Sequence, residues 1–111
     1  MNRLAFFRTK EILSTIIKYL ATAKGDMRER LKIMSVEISL LSKEDFPDNL
    51  KTKWEFVEKK LYKYPPVYNW NFTRQTMGSM EHSLSRMQNR TACKIALNIY
   101  DLYEILNHEC K

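Results

Sequence analysis

Two histidines carry the side chains that titrate nearest neutral pH. His82 stands beside Glu81 and one helical turn before Arg86, so an imidazole and a guanidinium would share a face. Such a pair could move a proton and hold a phosphodiester, but a packing or surface histidine is the plainer expectation. His108, Glu109 and Cys110 gather zinc-ligating residue types at the C-terminal end. His108 and Cys110 are two apart, which points them to different sides of a helix, and His108 also suits a helix C-terminus. Cys93 falls in the first turn of the last predicted helix, beside Arg90 and Lys94, where helix N-termini and cations lower a thiol pKa. Ala92 and Ile95 around it argue instead for partial burial and an inert thiol.

The richest run is aromatic. Tyr68, Trp70 and Phe72 alternate with Asn69, Asn71 and Thr73, and Arg74 follows. In an extended segment, alternation puts the three rings on one side. Trp, Tyr and Arg are the residue types that anchor protein interfaces, and exposed rings also stack on bases. The competing expectation is a lid folded back over the end of a bundle. Tyr68, Trp70, Phe72 and Arg74 are therefore the candidate partner-binding residues.

Phosphate-loop, metalloprotease, nucleophile-elbow and paired-cysteine motifs do not occur, and the chain holds only Gly25 and Gly78. A non-catalytic protein without a metal or cofactor is the expectation. The sequons at Asn71 and Asn89 matter only in a secreted protein.

The elements that must position these residues read as helices. Ile12, Leu13, Ile16, Ile17 and Leu20 make one apolar face over 3–23, with Leu4 and the pair Phe6 and Phe7 upstream. Gly25 suits a left-handed helix end, and Asp26 with Glu29 reads as the cap of the next helix. Met27, Leu31, Met34, Ile38 and Leu41 form its stripe. Ser42, Asp45 and Pro47 introduce a third helix to about Tyr62, with Leu50, Trp54, Val57 and Leu61 inside. Tyr64-Pro65-Pro66 stops it, and 64–75 is the one long connection. Helical spacing returns from Thr76 with Met77, Met80, Leu84 and Met87. Two candidate caps at Asn89-Arg90-Thr91 then lead to a final helix striped by Ala92, Ile95, Ala96, Ile99, Leu102, Tyr103 and Leu106. The methionines on these stripes read as core filler. The expected fold is all-α, a compact bundle of about five amphipathic helices in one domain, 1–111. Two glycines and three prolines in 111 residues are too few for a turn-rich sandwich or barrel.

Nineteen Lys and Arg against thirteen Asp and Glu give a net charge of +6. Arg3, Arg8, Lys10, Lys18 and Lys24 face only Glu11 in the first 25 residues, so the excess sits at the N-terminus. Arg3, Arg8, Lys10 and Lys18 are the candidate phosphate contacts if the partner is a nucleic acid. Ala21-Thr22-Ala23 mimics a signal-peptidase site, but the charges before it break any apolar core of a signal. No apolar run approaches the ~18 residues of a membrane span. With no export signal, a reducing cytoplasm is the expected compartment for the two cysteines.

Arg28-Glu29-Arg30-Leu31, Ser42 to Pro47, Leu50 and Leu61, with Lys94-Ile95-Ala96, Ile99 and Asp101-Leu102-Tyr103, resemble small all-helical bacterial proteins of about this length and of no known function. The resemblance spans roughly 27–106 and implies a prokaryotic or mobile-element origin. It brings no activity and no functional residues, and the basic N-terminal helix departs from it. The small helical ribonucleases put arginine ahead of histidine at wider spacing, an order that His82 and Arg86 reverse. The leading expectation is thus an interaction module. It would self-associate as a homodimer or bind a protein partner through the 64–75 segment and the first helix, whose apolar face is wide enough to meet a second subunit. Nucleic-acid binding through that helix with Trp70 and Arg74 is the alternative.

Overall fold

The computed structural model describes residues 6–109. Leu4, Arg3 and Cys110, invoked above, lie outside the described residues.

Helix α1 (Phe7–Thr22) buries Thr9, Leu13, Ile16 and Leu20, the four-residue rhythm of one helix face. Ile12 and Ile17 pack beside them on the core, which among the described residues leaves only Phe7 of that face largely exposed. The breadth read as spare surface for a second subunit is thus mostly spent inside the molecule. Gly25 takes a φ of +94°, a conformation that penalises any Cβ, and the Glu29 carboxylate packs against it. The Asp26 carboxylate accepts the Glu29 N–H at 3.1 Å and caps α2 (Met27–Ile33). The Arg28 guanidinium binds the same carboxylate at 2.7 Å and holds its pKa below the usual range.

The expected second helix is broken. Met34 departs from helical geometry and separates α2 from α3 (Ser35–Ser39), making six helices where five were expected. Ile38 still donates to the Met34 carbonyl at 3.0 Å, so the axis kinks while the hydrogen-bond path continues. A 3-10 turn (Lys43–Asp45) follows, closed by Ser42 N–H to the Asp45 carboxylate at 2.9 Å. Pro47 then stands just before α4 (Asp48–Leu61), its carbonyl accepting the Leu50 N–H at 2.9 Å, and the helix buries Leu50, Trp54, Val57 and Leu61 as expected. Trp54 stacks on Phe46 with ring centroids 5.1 Å apart.

The segment 64–75 is not a plain loop. Val67–Tyr68 (β1) and Gln75–Met77 (β2) pair antiparallel as a small hairpin, with Val67 opposite Met77 and Tyr68 opposite Gln75. Thr76 is the extra residue, a bulge whose hydroxyl donates to the Val67 carbonyl at 3.2 Å. Helix α5 (Ser79–Arg86) therefore starts three residues later than its methionine spacing suggested, because Thr76 and Met77 belong to the strand. Helix α6 (Asn89–Glu109) closes the chain. Asn89 caps across space: its Oδ1 accepts the Met27 N–H at 2.8 Å, at the start of α2. Helix α6 packs on α1, α2 and α4 and buries Ala92, Ile95, Ile99, Leu102 and Leu106. One core cluster runs through every long helix, so the described residues fold as one helical domain with a hairpin appended.

Candidate interaction site

The hairpin is built to hold its aromatic tip away from the core. Its root is fixed on α5 by polar contacts. Tyr64 N–H donates to Ser83 Oγ at 3.0 Å, and Ser79 Oγ donates to the Tyr64 carbonyl at 2.6 Å. Ser83 is buried, so this pairing satisfies groups that would otherwise cost free energy. His82 Nδ1 lies 2.8 Å from the Pro65 carbonyl. A carbonyl only accepts, so Nδ1 is the nitrogen that donates. The His82 ring also packs on Tyr64, with centroids 5.2 Å apart. His82 thus acts as a strut between α5 and the hairpin, the packing role expected of it.

The tip is tied by its small polar residues. Asn69 N–H donates to the Arg74 carbonyl at 2.9 Å, and Phe72 N–H donates to the Asn69 carbonyl at 3.0 Å. Asn69 Oδ1 accepts the Thr73 N–H at 2.9 Å, and Asn71 Oδ1 accepts the Thr73 hydroxyl at 2.8 Å. The polar partners in the alternating run face the turn and the rings do not. The alternation does express itself, through a stapled turn rather than an extended strand. Trp70 is 90% exposed, Phe72 80% and Tyr68 45%. Tyr68 and Phe72 make a loose tilted pair at 6.3 Å. The lid expectation is overturned: neither Trp70 nor Phe72 folds onto the helices.

Phe72 sits at φ +59°, where a non-glycine residue costs roughly 1–2 kcal/mol. Full burial of a phenylalanine would return about 1.5–3 kcal/mol, but a side chain left four-fifths exposed returns only a small part of that. The fold gains little from a ring at this position. Among the described residues no carboxylate pairs with the exposed Arg74 side chain.

A groove of opposite character lies on α4. Glu55, Glu58, Lys59 and Tyr62 line a shallow depression of about 510 Å³. Burial and the charges of Glu44 and Glu55 push the Glu58 carboxyl above its ordinary pKa. Charge runs on a helix usually read as a solvated face, so the sequence did not single out this groove. The exposed stripe Ile33, Val36 and Leu40 was also missed, because the stronger stripe of Leu31, Met34, Ile38 and Leu41 marked the other side as the buried one. Ile33, Val36 and Leu40 follow helical spacing on the side opposite Leu31 and Ile38, which the core buries.

The other candidates disperse. Arg8 reaches the Asp45 carboxylate at 3.8 Å and the Leu40 carbonyl at 3.5 Å, so this basic group serves the fold. Lys18 is exposed, and Lys10 is half-buried with a partner of its own. Arg8, Lys10 and Lys18 lie on α1, which packs on α2, α3 and α6, whereas Trp70 and Arg74 rise from α5. Cys93 is exposed, against the burial expected from its neighbours, because α6 turns Ala92 and Ile95 inward and Cys93 outward. His108 lies 4.0 Å from Glu104. Among the described residues no three His, Cys, Asp or Glu side chains group to hold a metal, and no helix is long and apolar enough to cross a membrane. No protein-family model matches the chain, and neither a curated protein nor a solved structure does.

Proposed function

We propose that this protein is a non-catalytic, cytoplasmic interaction module whose docking element is the hairpin tip Tyr68, Trp70, Phe72 and Arg74, and whose partner is a second copy of the chain. One observation carries the reading: two large rings stand 90% and 80% exposed on a turn that its own hydrogen bonds make rigid. A preordered tip loses little entropy on docking. The three rings, at 150–250 Å² each, offer roughly 300–500 Å² of surface, a large share of the ~800 Å² that each side of a stable interface buries.

Charge complementarity favours self-docking. The tip ends in Arg74, and the α4 groove presents Glu55 and Glu58 beside the amphipathic ring of Tyr62, with Lys59 offsetting only one of the two carboxylates. A two-fold arrangement would seat each tip in the other copy's groove, burying Trp70 and pairing Arg74 with carboxylates that now repel one another. The nucleic-acid reading has thinner support, because Arg8 is engaged within the fold.

The test is a charge exchange followed by sedimentation. Arg74→Glu should dissociate the dimer, and adding Glu55→Arg and Glu58→Arg should restore it. Dissociation without rescue would leave the tip as an interface but remove the groove as its seat.

A further inference from the structure

Beyond the hairpin tip, a second surface has no role in that reading. At the root of the hairpin, Lys60 and Lys63 of α4 and its end, Arg86 of α5, and Gln88 and Thr91 at the start of α6 surround a cleft of about 230 Å³ with Tyr64 in its wall. Three cations line it and no carboxylate does. The Tyr64 ring is the organiser. Lys63 Nζ lies 5.6 Å from its centroid and the Arg86 guanidinium 5.0 Å. Lys60 rests over Phe56 at 5.8 Å. Each aromatic face holds its cation in place without neutralising it.

The carboxylates on the surrounding elements lie outside the cleft. On α5, Glu81 pairs with Lys32 at 3.4 Å. On α6, Asp101 meets Lys53 at 3.9 Å. On α4, Glu55 and Glu58 line the separate groove with Tyr62. Among the described residues, Lys60, Lys63 and Arg86 thus share a cleft without an acidic partner, while Lys32, Lys51 and Lys53 each have one. Lys63 and Arg86 are held on one ring and Lys60 lines the same cleft, so a bound anion would offset three like charges. The Thr91 hydroxyl and the Gln88 amide add neutral donors at the rim.

We infer that the Tyr64 cleft is a phosphate-binding site, with Arg86 and Lys63 as its principal cationic contacts and Lys60 as the third. The planar guanidinium fits the paired oxygens of a phosphate, and the two ammonium groups act as point charges around it. The same chemistry serves a free phosphate ester or a phosphate in a nucleic-acid backbone.

The experiment titrates isotopically labelled full-length protein with sodium phosphate, and separately with a short fluorescein-labelled oligothymidylate. The expected result is amide shifts confined to residues 60–64 and 83–91. Saturation by phosphate alone assigns the site to a free phosphate group; saturation by the strand alone assigns it to a backbone. Lys63→Ala with Arg86→Ala should weaken binding about tenfold or more, because two charge-assisted contacts are lost. For the strand it should also flatten the dependence of log affinity on log salt by about 1.4, at roughly 0.7 per contact. Lys24→Ala with Lys43→Ala removes the same charge from exposed positions outside the cleft and should change affinity by less than about twofold. Equal losses in the two variants, or shifts spread over the whole surface, would overturn the site. If the first variant is unfolded, Lys60→Ala with Lys63→Ala replaces it, and the wild-type shift map decides independently of any substitution.

Discussion

Replacing Trp70 with alanine separates a docking tip from a buried lid. A tryptophan side chain carries up to about 250 Å² of surface, and only a tenth of Trp70 is covered. About 25 Å² at 25 cal/mol per Å² is roughly 0.6 kcal/mol, so Trp70→Ala should cost less than about 1 kcal/mol. Trp54 is the internal control. It is 1% exposed and stacked on Phe46, and a large-to-small change there leaves a cavity as well as lost transfer energy. Trp54→Ala should cost about 3–5 kcal/mol. Urea unfolding followed by far-ultraviolet circular dichroism reads both, because that signal follows the helices rather than either indole. The comparison belongs at a protein concentration where the chain is monomeric, since binding adds to apparent stability. A loss above about 2 kcal/mol for Trp70→Ala would mean that the ring is packed in the fold, and the reasoning from its exposure would fail.

Three further changes probe the turn after α1, the root of the hairpin and the α4 groove. Gly25→Ala should destabilise the monomer by at least about 1–2 kcal/mol, because its φ of +94° and the Glu29 carboxylate both oppose a Cβ; thermal unfolding checks this, and a neutral result would contradict the left-handed geometry. Ser83→Ala removes the acceptor for the Tyr64 N–H and should cost about 1–3 kcal/mol, with faster amide exchange across 67–77; unchanged exchange would show that the hairpin does not depend on α5. Glu58→Gln should slightly stabilise the monomer at neutral pH, because folding raises the Glu58 pKa and so opposes its ionised form. That gain should shrink as pH falls through the raised pKa and vanish below the ordinary value of 4.5, as denaturant midpoints across pH will show; a gain that persists in acid would refute the assignment.

The helices were legible where one side of the chain does one job. Leu50, Trp54, Val57 and Leu61 repeat at helical spacing and are all buried, and the cap at Asp26 follows from side-chain chemistry acting within one turn. The hairpin was not legible. Val67–Tyr68 and Gln75–Met77 are too short to display a period of two, and the turn between them uses Asn69 and a strained Phe72 in place of the glycine that marks most tight turns. The break at Met34 was hidden because its apolar spacing continues across it into Ile38. Asn89 read as a cap for its own helix, yet it caps α2, sixty-two residues away in sequence, which no local pattern encodes. The aromatic run could be flagged from residue types alone, but its exposure depended on side-chain hydrogen bonds within the turn. The cationic cleft went unmarked because Lys60, Lys63, Arg86 and Thr91 come from separate segments.

The central claim is that the hairpin tip joins two copies of this chain. Light scattering across a concentration series, on the wild-type protein and on Trp70→Ala with Phe72→Ala, tests it most directly. The wild-type mass should approach twice 13.3 kDa as concentration rises, and the folded variant should stay at 13.3 kDa. A wild-type protein that remains at 13.3 kDa throughout, or a variant that dimerises as readily as the wild type, would contradict it.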